Sequence, residues 1–390
     1  MRWRVLVGLL VACTGPSQRG AESEQATGVA AGGPAPERAV EVSSGEPGGG
    51  GGTVQSGCQP PRTGEAVAFC GSTYAPDTVR IDCDRRVEDL CPLTALRGLA
   101  VLSLTEHIPE LQPLASIPGL ERLDLEGSGP SNDVDLTPLA ELPKLESLAV
   151  GKATVRSLAP VVHLRELRGL RIEDVVVDLT HIGELTHLRA LTLRGMPSVS
   201  LDALATLAAL RELDLTGSTV TDAERLASLA PQLTILYLSD TNFTSFAALA
   251  KATHLAGLHA KNVGIADLRP LSALSSLEYL DLRGTPVVDL RPLRQLPKLT
   301  HLLLAGTPVA DLTPLARCRS LTLLDLDQTR VKRIRALRSL PHLEVLSVEG
   351  TGISRAAVAE VLAAGKDRVR EASASGDPAR ERGGTVGGDD

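Results

Sequence analysis

Hydrophobic residues recur along the middle of this chain with a period of about 22 residues. One complete unit is LEYLDLRGTPVVDLRPLRQLPK, which begins at Leu277 and is restarted by Leu299. The eleven complete units begin at Leu99, Leu120, Leu145, Leu167, Leu188, Leu210, Leu233, Leu255, Leu277, Leu299 and Leu321, and a partial unit begins at Leu343. So constant a period predicts a chain of stacked, similar units in which each unit shares its core with its neighbours.

Each unit divides into two halves with different periodicities. The fourth and sixth positions, such as Leu280 and Leu282, alternate with outward positions and predict a short strand. The second half, residues 289–296, spaces its apolar residues three apart and has Pro292 near its start, which predicts a short turn of helix. The pattern L-x-x-L-x-L at this period therefore predicts an α/β leucine-rich repeat solenoid, with a parallel concave sheet and short 3₁₀ or α turns on the convex side.

The consensus L-x-x-L-x-L-x-x-T-x-V-x-D-L-x-P-L-x-x-L resembles the 22-residue repeats of the internalin family of bacterial surface proteins, over residues 99–353. The resemblance implies a scaffold that grips a protein on its concave sheet. The family commonly has Asn at the ninth position, where the amide links backbone groups of neighbouring repeats. This chain has hydroxyl residues there instead, namely Ser128, Ser218, Thr241, Thr285, Thr307, Thr329 and Thr351. We expect these hydroxyls to replace some of the hydrogen bonds that the Asn amides make between neighbouring repeats.

The N-terminus has the pattern of an export signal. Two arginines are followed by an apolar run from Val5 to Ala12 that is too short to span a bilayer, and Cys13 comes next. Residues 10–13, Leu-Val-Ala-Cys, resemble the lipobox of bacterial lipoproteins. This resemblance implies removal of residues 1–12, lipid attachment to Cys13 and, because Thr14 follows rather than Asp, the outer membrane. An ordinary signal peptide with an incidental cysteine is the alternative.

Both flanks of the repeats differ from the repeats in composition. Residues 13–57 are rich in Gly, Pro and Ser and predict a flexible, lipid-anchored linker. Residues 58–98 contain four cysteines and predict an N-terminal cap. At the other end a capping helix is expected over residues 354–371, with Ser354 as its N-cap and a helical run that ends at Gly365. The polar residues 372–390 predict a disordered tail.

The four cysteines of the cap, Cys58, Cys70, Cys83 and Cys91, predict two disulfides, because an even cluster in an exported chain is usually oxidised. Four cysteines allow three pairings. We predict the pairing that closes the shortest loops, which is Cys58 with Cys70 and Cys83 with Cys91. A zinc site is the alternative, but such sites usually need closer cysteine pairs than these.

Composition and motifs narrow the function further. The formal net charge is −7, and no basic stripe with interleaved aromatics is present, so nucleic acid is not an expected partner. G-x-S-x-G, a phosphate-binding glycine loop and H-E-x-x-H are also absent, so no catalytic residue, metal or cofactor is predicted. Four histidines lie at turns next to a repeat leucine and are interpreted as surface residues, namely His163, His187, His254 and His342. Cys318 takes the place of a leucine and is expected to be buried.

The third, fifth and seventh positions of each repeat point away from the predicted core. From Leu233 onward they include two of the chain's three tyrosines. We predict a partner-binding patch there, formed by Ile235, Tyr237, His259, Tyr279, His301, Leu303 and Leu323, with a polar border of Asp281, Arg283, Asp325 and Asp327. The first half of the same face is mostly small or charged. Scattered apolar surface residues of a solenoid, without a ligand, are the alternative explanation.

Three functions follow from these observations. The leading one is a non-catalytic, envelope-anchored module that binds a protein on its concave face. A structural spacer of the cell envelope without a dedicated ligand is the second. The third is a hydrolytic enzyme that uses His259, His301, Asp281 and Tyr279, which an open sheet disfavours because it offers little of the desolvated surrounding that catalysis needs.

Overall fold

In a computed structural model of the chain, the structure describes residue 62, residues 64–129 and residues 133–374. The predicted signal peptide, the linker with Cys13, the cap residue Cys58 and residues 375–390 of the predicted tail lie outside the described residues.

The described residues contain eighteen strands. In chain order they are β1 (Val67–Phe69), β2 (Ser72–Tyr74), β3 (Arg80–Cys83), β4 (Val101–Leu104), β5 (Arg122–Glu126), β6 (Asp133–Val134), β7 (Ser147–Gly151), β8 (Thr154–Val155), β9 (Gly169–Glu173), β10 (Val176–Val177), β11 (Ala190–Arg194), β12 (Glu212–Asp214), β13 (Ile235–Tyr237), β14 (Gly257–His259), β15 (Tyr279–Asp281), β16 (His301–Leu303), β17 (Leu323–Asp325) and β18 (Val345–Ser347).

Thirteen of these strands form one sheet in the order β18-β17-β16-β15-β14-β13-β12-β11-β9-β7-β5-β4-β3, and every pair in it is parallel. The fourth-position leucines are in register, so that Leu258 pairs with Leu280 and Leu280 with Leu302. All three are fully buried. The prediction of a leucine-rich repeat solenoid with a parallel sheet is confirmed. The sheet also includes β3, which belongs to the segment predicted as a cap.

Two smaller sheets accompany the large one. β1 and β2 form an antiparallel hairpin at the N-terminal end, and β6, β8 and β10 form a parallel sheet in the order β10-β8-β6. Neither was predicted, because strands of two or three residues are too short to show a period of their own.

Short 3₁₀ helices follow the strands. They span Cys91–Ala95, Gln112–Ser116, Thr137–Glu141, Ala159–Val161, Ile182–Glu184, Asp202–Leu204, Ala223–Arg225, Ala230–Gln232, Ala247–Leu249, Arg269–Ala273, Arg291–Gln295, Thr313–Arg317 and Arg335–Ser339. A short α-helix, α1 (Leu226–Leu229), interrupts this series. In the repeat that begins at Leu277, Asp289 Oδ1 accepts a hydrogen bond from the backbone N–H of Arg291 at 2.9 Å, and Pro292 follows in the first turn. The first turn of a helix leaves backbone N–H groups unpaired. Asp289 accepts a hydrogen bond from one of them, and Pro292 has no N–H to be satisfied.

The hydroxyls at the ninth position act in two different ways. Thr285 Oγ1 donates to the carbonyl of Leu282 within its own repeat at 2.6 Å, and four other threonines of the series do the same, namely Thr241, Thr307, Thr329 and Thr351. Ser218 instead links two repeats. Its Oγ donates to the carbonyl of Leu193 at 2.7 Å and accepts from the N–H of Met196 at 2.9 Å.

The predicted cysteine pairing is wrong. Cys70 is bonded to Cys83, with a separation of 5.9 Å between their Cα atoms. Cys70 lies in the turn between β1 and β2, and Cys83 is the last, buried residue of β3. The hairpin therefore brings together two cysteines that the rule of shortest loops keeps apart. Cys91 is disulfide-bonded as well.

The C-terminal helix, α2 (Arg355–Ala374), begins as predicted and ends later. Ser354 Oγ accepts a hydrogen bond from the N–H of Ala357 at 3.2 Å, which is N-cap geometry. The helix continues through Gly365, which does not act as a stop. A Cβ atom at Gly365 would lie 2.7 Å from the carbonyl oxygen of Leu340, so this glycine allows α2 to approach the last repeat closely. No helix among the described residues has the length and apolar character to cross a membrane.

Candidate functional site

The predicted patch residues lie on five adjacent strands, β13 to β17, on the face of the large sheet opposite its leucine core. We call this the open face. Its third-position row includes Ile235, Tyr279, His301 and Leu323, and its fifth-position row includes Tyr237, His259, Asp281 and Leu303. Seven of these eight side chains are half-buried, and Asp281 is buried. The structure therefore brings the eight predicted residues together on one surface.

Four of these residues form a continuous ladder of rings. The centroids of Tyr237 and His259 are 4.3 Å apart, and those of His259 and Tyr279 are 4.5 Å apart, with the ring planes stacked in both cases. The Tyr279 and His301 rings are 5.9 Å apart and tilted. We call Tyr237, His259, Tyr279 and His301 the ring ladder. Each contact is of the kind that stabilises aromatic pairs beyond their buried area.

The ladder crosses from one row of the sheet to the other. In the register of the strands, Tyr279 lies beside Gly257, and His259 lies beside Asp281. The stack of Tyr279 on His259 is therefore diagonal. Gly257 has no side chain, and a Cβ atom there would lie 3.5 Å from the side chain of Ile235 rather than against the Tyr279 ring.

Burial keeps the ladder uncharged. It lowers the pKa of His259 to about 4, against the opposing influence of Asp281 and Asp214. It likewise lowers the pKa of His301. Burial raises the pKa of Tyr279 to about 12 and raises that of Tyr237, and nearby carboxylates add to both effects. At neutral pH the four rings are two phenols and two neutral imidazoles.

Two buried carboxylates border the ladder, and each is paired with an arginine. Asp214 lies beside Tyr237 on the neighbouring strand and is bonded to Arg194 at 2.7 Å. Asp281 lies beside His259 and is bonded through both oxygens to Arg283, at 2.6 and 2.9 Å. Asp281 lies where the polar border was predicted, but its side chain is only 3% exposed and is paired with Arg283.

Sequence reasoning missed one member of the surface. Val345 on β18 lies beside Leu323 and extends the third-position row, and it is 52% exposed. Its place could have been found, because it is the third residue of the partial repeat that begins at Leu343. Other predicted surface residues lie as expected, and His163, His187, His254 and His342 are all exposed. Cys318 is buried, and burial raises the pKa of its thiol to about 11.

The opposite half of the open face has a different character. Arg122 and Arg171 are exposed, and Asp124, Glu126 and Glu173 are half-buried. An open cleft of about 200 Å³ lies among Asp124, Glu126, Arg171 and Glu173. Charged side chains dominate this half, whereas rings and aliphatic side chains dominate the half around the ladder. The apolar character is therefore confined to one part of the sheet.

Stacking determines which parts of the four rings a second molecule can contact. Ring faces are covered by neighbouring rings, and side chains stand roughly perpendicular to a sheet, so that ring edges and polar tips are what a partner meets. Among the described residues no hydrogen bond joins His259, His301, Tyr279 and Asp281 to one another as a nucleophile and base would require. The described residues also contain no group of three His, Cys, Asp or Glu side chains placed to hold a metal ion.

The chain resembles solved structures of leucine-rich repeat proteins. An internalin (inlF) from Listeria monocytogenes matches with a TM-score of 0.56 at 21% identity, over 71% of this chain and 89% of the other. A leucine-rich repeat protein from Leptospira interrogans matches with a TM-score of 0.51 at 18% identity, over 72% of this chain and 83% of the other. No protein-family model and no curated protein matches the sequence. At these identities the likeness establishes the leucine-rich repeat fold.

Proposed function

We propose that this chain is a non-catalytic binding protein of a bacterial cell envelope, which recognises a protein partner through the ring ladder on its open face. The observation that carries the proposal is the stack of Tyr237, His259, Tyr279 and His301, whose members remain only half-buried in the isolated chain. Isolated apolar residues are common on protein surfaces, but a contiguous patch usually has a partner that covers it.

The composition of the patch supports a protein ligand. Tyrosine combines a large apolar area with a polar tip and is enriched at the energetic centres of protein interfaces. Stacking already fixes the rings of Tyr237 and Tyr279, so a partner loses little additional side-chain entropy when it binds them. Ile235, Leu303 and Leu323 supply aliphatic area around the ladder. The ion pairs of Asp214 with Arg194 and of Asp281 with Arg283 form a polar border beside the ladder.

Anchorage is the second part of the proposal. We infer from the lipobox-like residues 10–13 that Cys13 carries the lipid, and that residues 13–57 tether the solenoid to the outer membrane. Mass spectrometry of the mature chain should find an acylated Cys13 at its N-terminus. A mature chain that begins at an unmodified Met1 would exclude this mode of anchorage.

Site-specific photo-crosslinking in the native cell tests the binding surface. A crosslinker at Leu303, beside the ladder, should capture one partner repeatedly, whereas a crosslinker at Gln295, which is exposed on the 3₁₀ side, should not capture it. The captured protein is then purified and its affinity for the full-length chain measured. If Leu303 captures nothing above background, the alternative of a structural spacer is favoured.

The affinity of that purified partner should fall at least tenfold in the double variant Tyr237→Ala with Tyr279→Ala, since hot-spot residues contribute about 2 kcal/mol or more each. Arg122→Ala with Arg171→Ala is the matched control, because both arginines are exposed on the same face and neither lies on β13 to β17. Glu173 is a poorer control, because it pairs with Arg194 and so contacts the border of the ladder. If only the arginine double variant loses binding, the binding site lies in the N-terminal half of the open face and not at the ring ladder.

A further inference from the structure

The last complete repeat departs from the pattern of its neighbours on the 3₁₀ side of the solenoid. The thirteenth position is aspartate in the three preceding repeats, as Asp267, Asp289 and Asp311, and each accepts a hydrogen bond from the N–H of the fifteenth residue at 2.9 Å. In the repeat that begins at Leu321 this position is Arg333. A guanidinium has no acceptor, so Arg333 cannot make this hydrogen bond.

The substitution also removes an ion pair. Arg269 and Arg291, at the fifteenth position, are paired with the aspartates two residues before them, at 2.7 and 2.9 Å. Arg335 takes the same position in the last repeat, and the residue two before it is a second arginine. None of the ion pairs found among the described residues involves Arg330, Arg333 or Arg335. All three are exposed.

These arginines line an open cleft of about 480 Å³ together with Lys332 and Asp311. Lys332 Nζ donates to the carbonyl of Thr351 at 3.1 Å, which leaves it further donors. Asp311 is the one acid in the lining, its pKa is lowered chiefly by its hydrogen bonds to Thr313, and it is ionised at neutral pH. Four cations against one carboxylate give the lining a formal charge of +3, within a chain whose net charge is −7.

We propose that this cleft binds a phosphate-bearing anion. Guanidinium groups present paired donors that match the oxygens of phosphate, and a multiply charged anion would relieve the repulsion among three neighbouring arginines. None of the lining residues is aromatic, so the cleft offers no surface on which a nucleic-acid base could stack. The site is separate from the ring ladder, which lies on the open face, and does not depend on the function proposed for it.

The chain supplies an unusually clean test variant. Arg333→Asp restores the residue that the three preceding repeats have, and with it the hydrogen bond and ion pair of the Asp289–Arg291 kind. The variant should therefore fold and melt at least as well as the wild type while the formal charge of the lining falls from +3 to +1. Arg97→Asp makes the same change of charge at an exposed position near the other end of the solenoid.

Binding to the full-length chain is measured with two probes, pyrophosphate by calorimetry and phosphatidylglycerol vesicles by co-sedimentation, with phosphatidylcholine vesicles as the neutral reference. We expect wild type to bind pyrophosphate, Arg333→Asp to weaken this at least tenfold, and Arg97→Asp to change it less than twofold. Binding to phosphatidylglycerol vesicles with the same dependence on Arg333 would identify a lipid headgroup as the source of the phosphate, whereas pyrophosphate binding alone would identify a soluble ligand. The proposal is overturned if wild type binds neither probe, if Arg333→Asp binds as wild type does, or if Arg97→Asp loses as much.

Discussion

The imidazole of His259 lies face to face with the phenol ring of Tyr237, with 4.3 Å between their centroids and 18° between their planes. Tyr279 covers the other side of the same imidazole at 4.5 Å. A histidine held between two rings has little access to water, and burial accordingly lowers its pKa to about 4. The ladder is thus built around a neutral histidine, and protonation of this residue acts against its packing.

The first prediction concerns pH. An unfolded chain takes up a proton on His259 near pH 6.5, but the folded chain does so only near pH 4. Between these values the unfolded state binds more protons, so the free energy of unfolding should fall as the pH falls from 6.5 to 4. The loss through His259 is on the order of 3 kcal/mol when complete. Urea unfolding measures the free energy of unfolding of wild type and of His259→Gln. The difference between the two should shrink as the pH falls from 6.5 to 4, since the effects of the carboxylates are common to both proteins. A difference independent of pH would mean that His259 titrates normally.

The second prediction concerns the cap. Because Cys70 is paired with Cys83 and Cys91 is also oxidised, we expect Cys58 to be the partner of Cys91. Non-reducing peptide mapping should yield one peptide pair that contains Cys70 with Cys83 and one that contains Cys58 with Cys91. Replacing Cys70 and Cys83 together by alanine should cost about 3 kcal/mol of stability, because the bond closes a loop across 13 residues. Recovery of a Cys58–Cys70 peptide would contradict this arrangement.

The cysteines and the ladder show how far the sequence determines the structure. The 22-residue period was enough to place Tyr237, His259 and Tyr279 on one face, because alternation along a strand fixes which side a residue takes. Their stacking could not be predicted from it. It depends on side-chain rotamers, which the repeat period does not specify. Cys70 is a similar case, since its partner is determined by a hairpin of two three-residue strands outside the repeats.

The third prediction compares two buried hydroxyls at the ninth position. Ser218→Ala should cost about 2 kcal/mol, because the Met196 N–H and the Leu193 carbonyl both lose their bond to the serine hydroxyl. Thr285→Val should cost about 1 kcal/mol or less, since the Leu282 carbonyl keeps its hydrogen bond from the Thr285 N–H at 3.1 Å. Chemical denaturation of both variants measures the difference. If both variants lose the same free energy of unfolding, the hydrogen bonds that Ser218 makes between repeats stabilise the protein no more than the one that Thr285 makes within its own repeat.

The last prediction concerns Gly365 in α2. Replacing a glycine inside a helix by alanine usually stabilises a protein by about 1 kcal/mol, because alanine has the better helix propensity. At Gly365 we expect the opposite sign. The new Cβ would lie 2.7 Å from the backbone oxygen of Leu340, and a backbone atom cannot move aside as a flexible side chain can. The helix must shift away from the last repeat, at a cost of about 1–3 kcal/mol typical of overpacking. Gly264→Ala is the matched control, since nothing lies within 4 Å of a Cβ at that position and its φ is not positive. Thermal melts should show Gly365→Ala below wild type and Gly264→Ala close to it. A Gly365→Ala variant that melts above wild type would mean that α2 does not pack against Leu340 in solution.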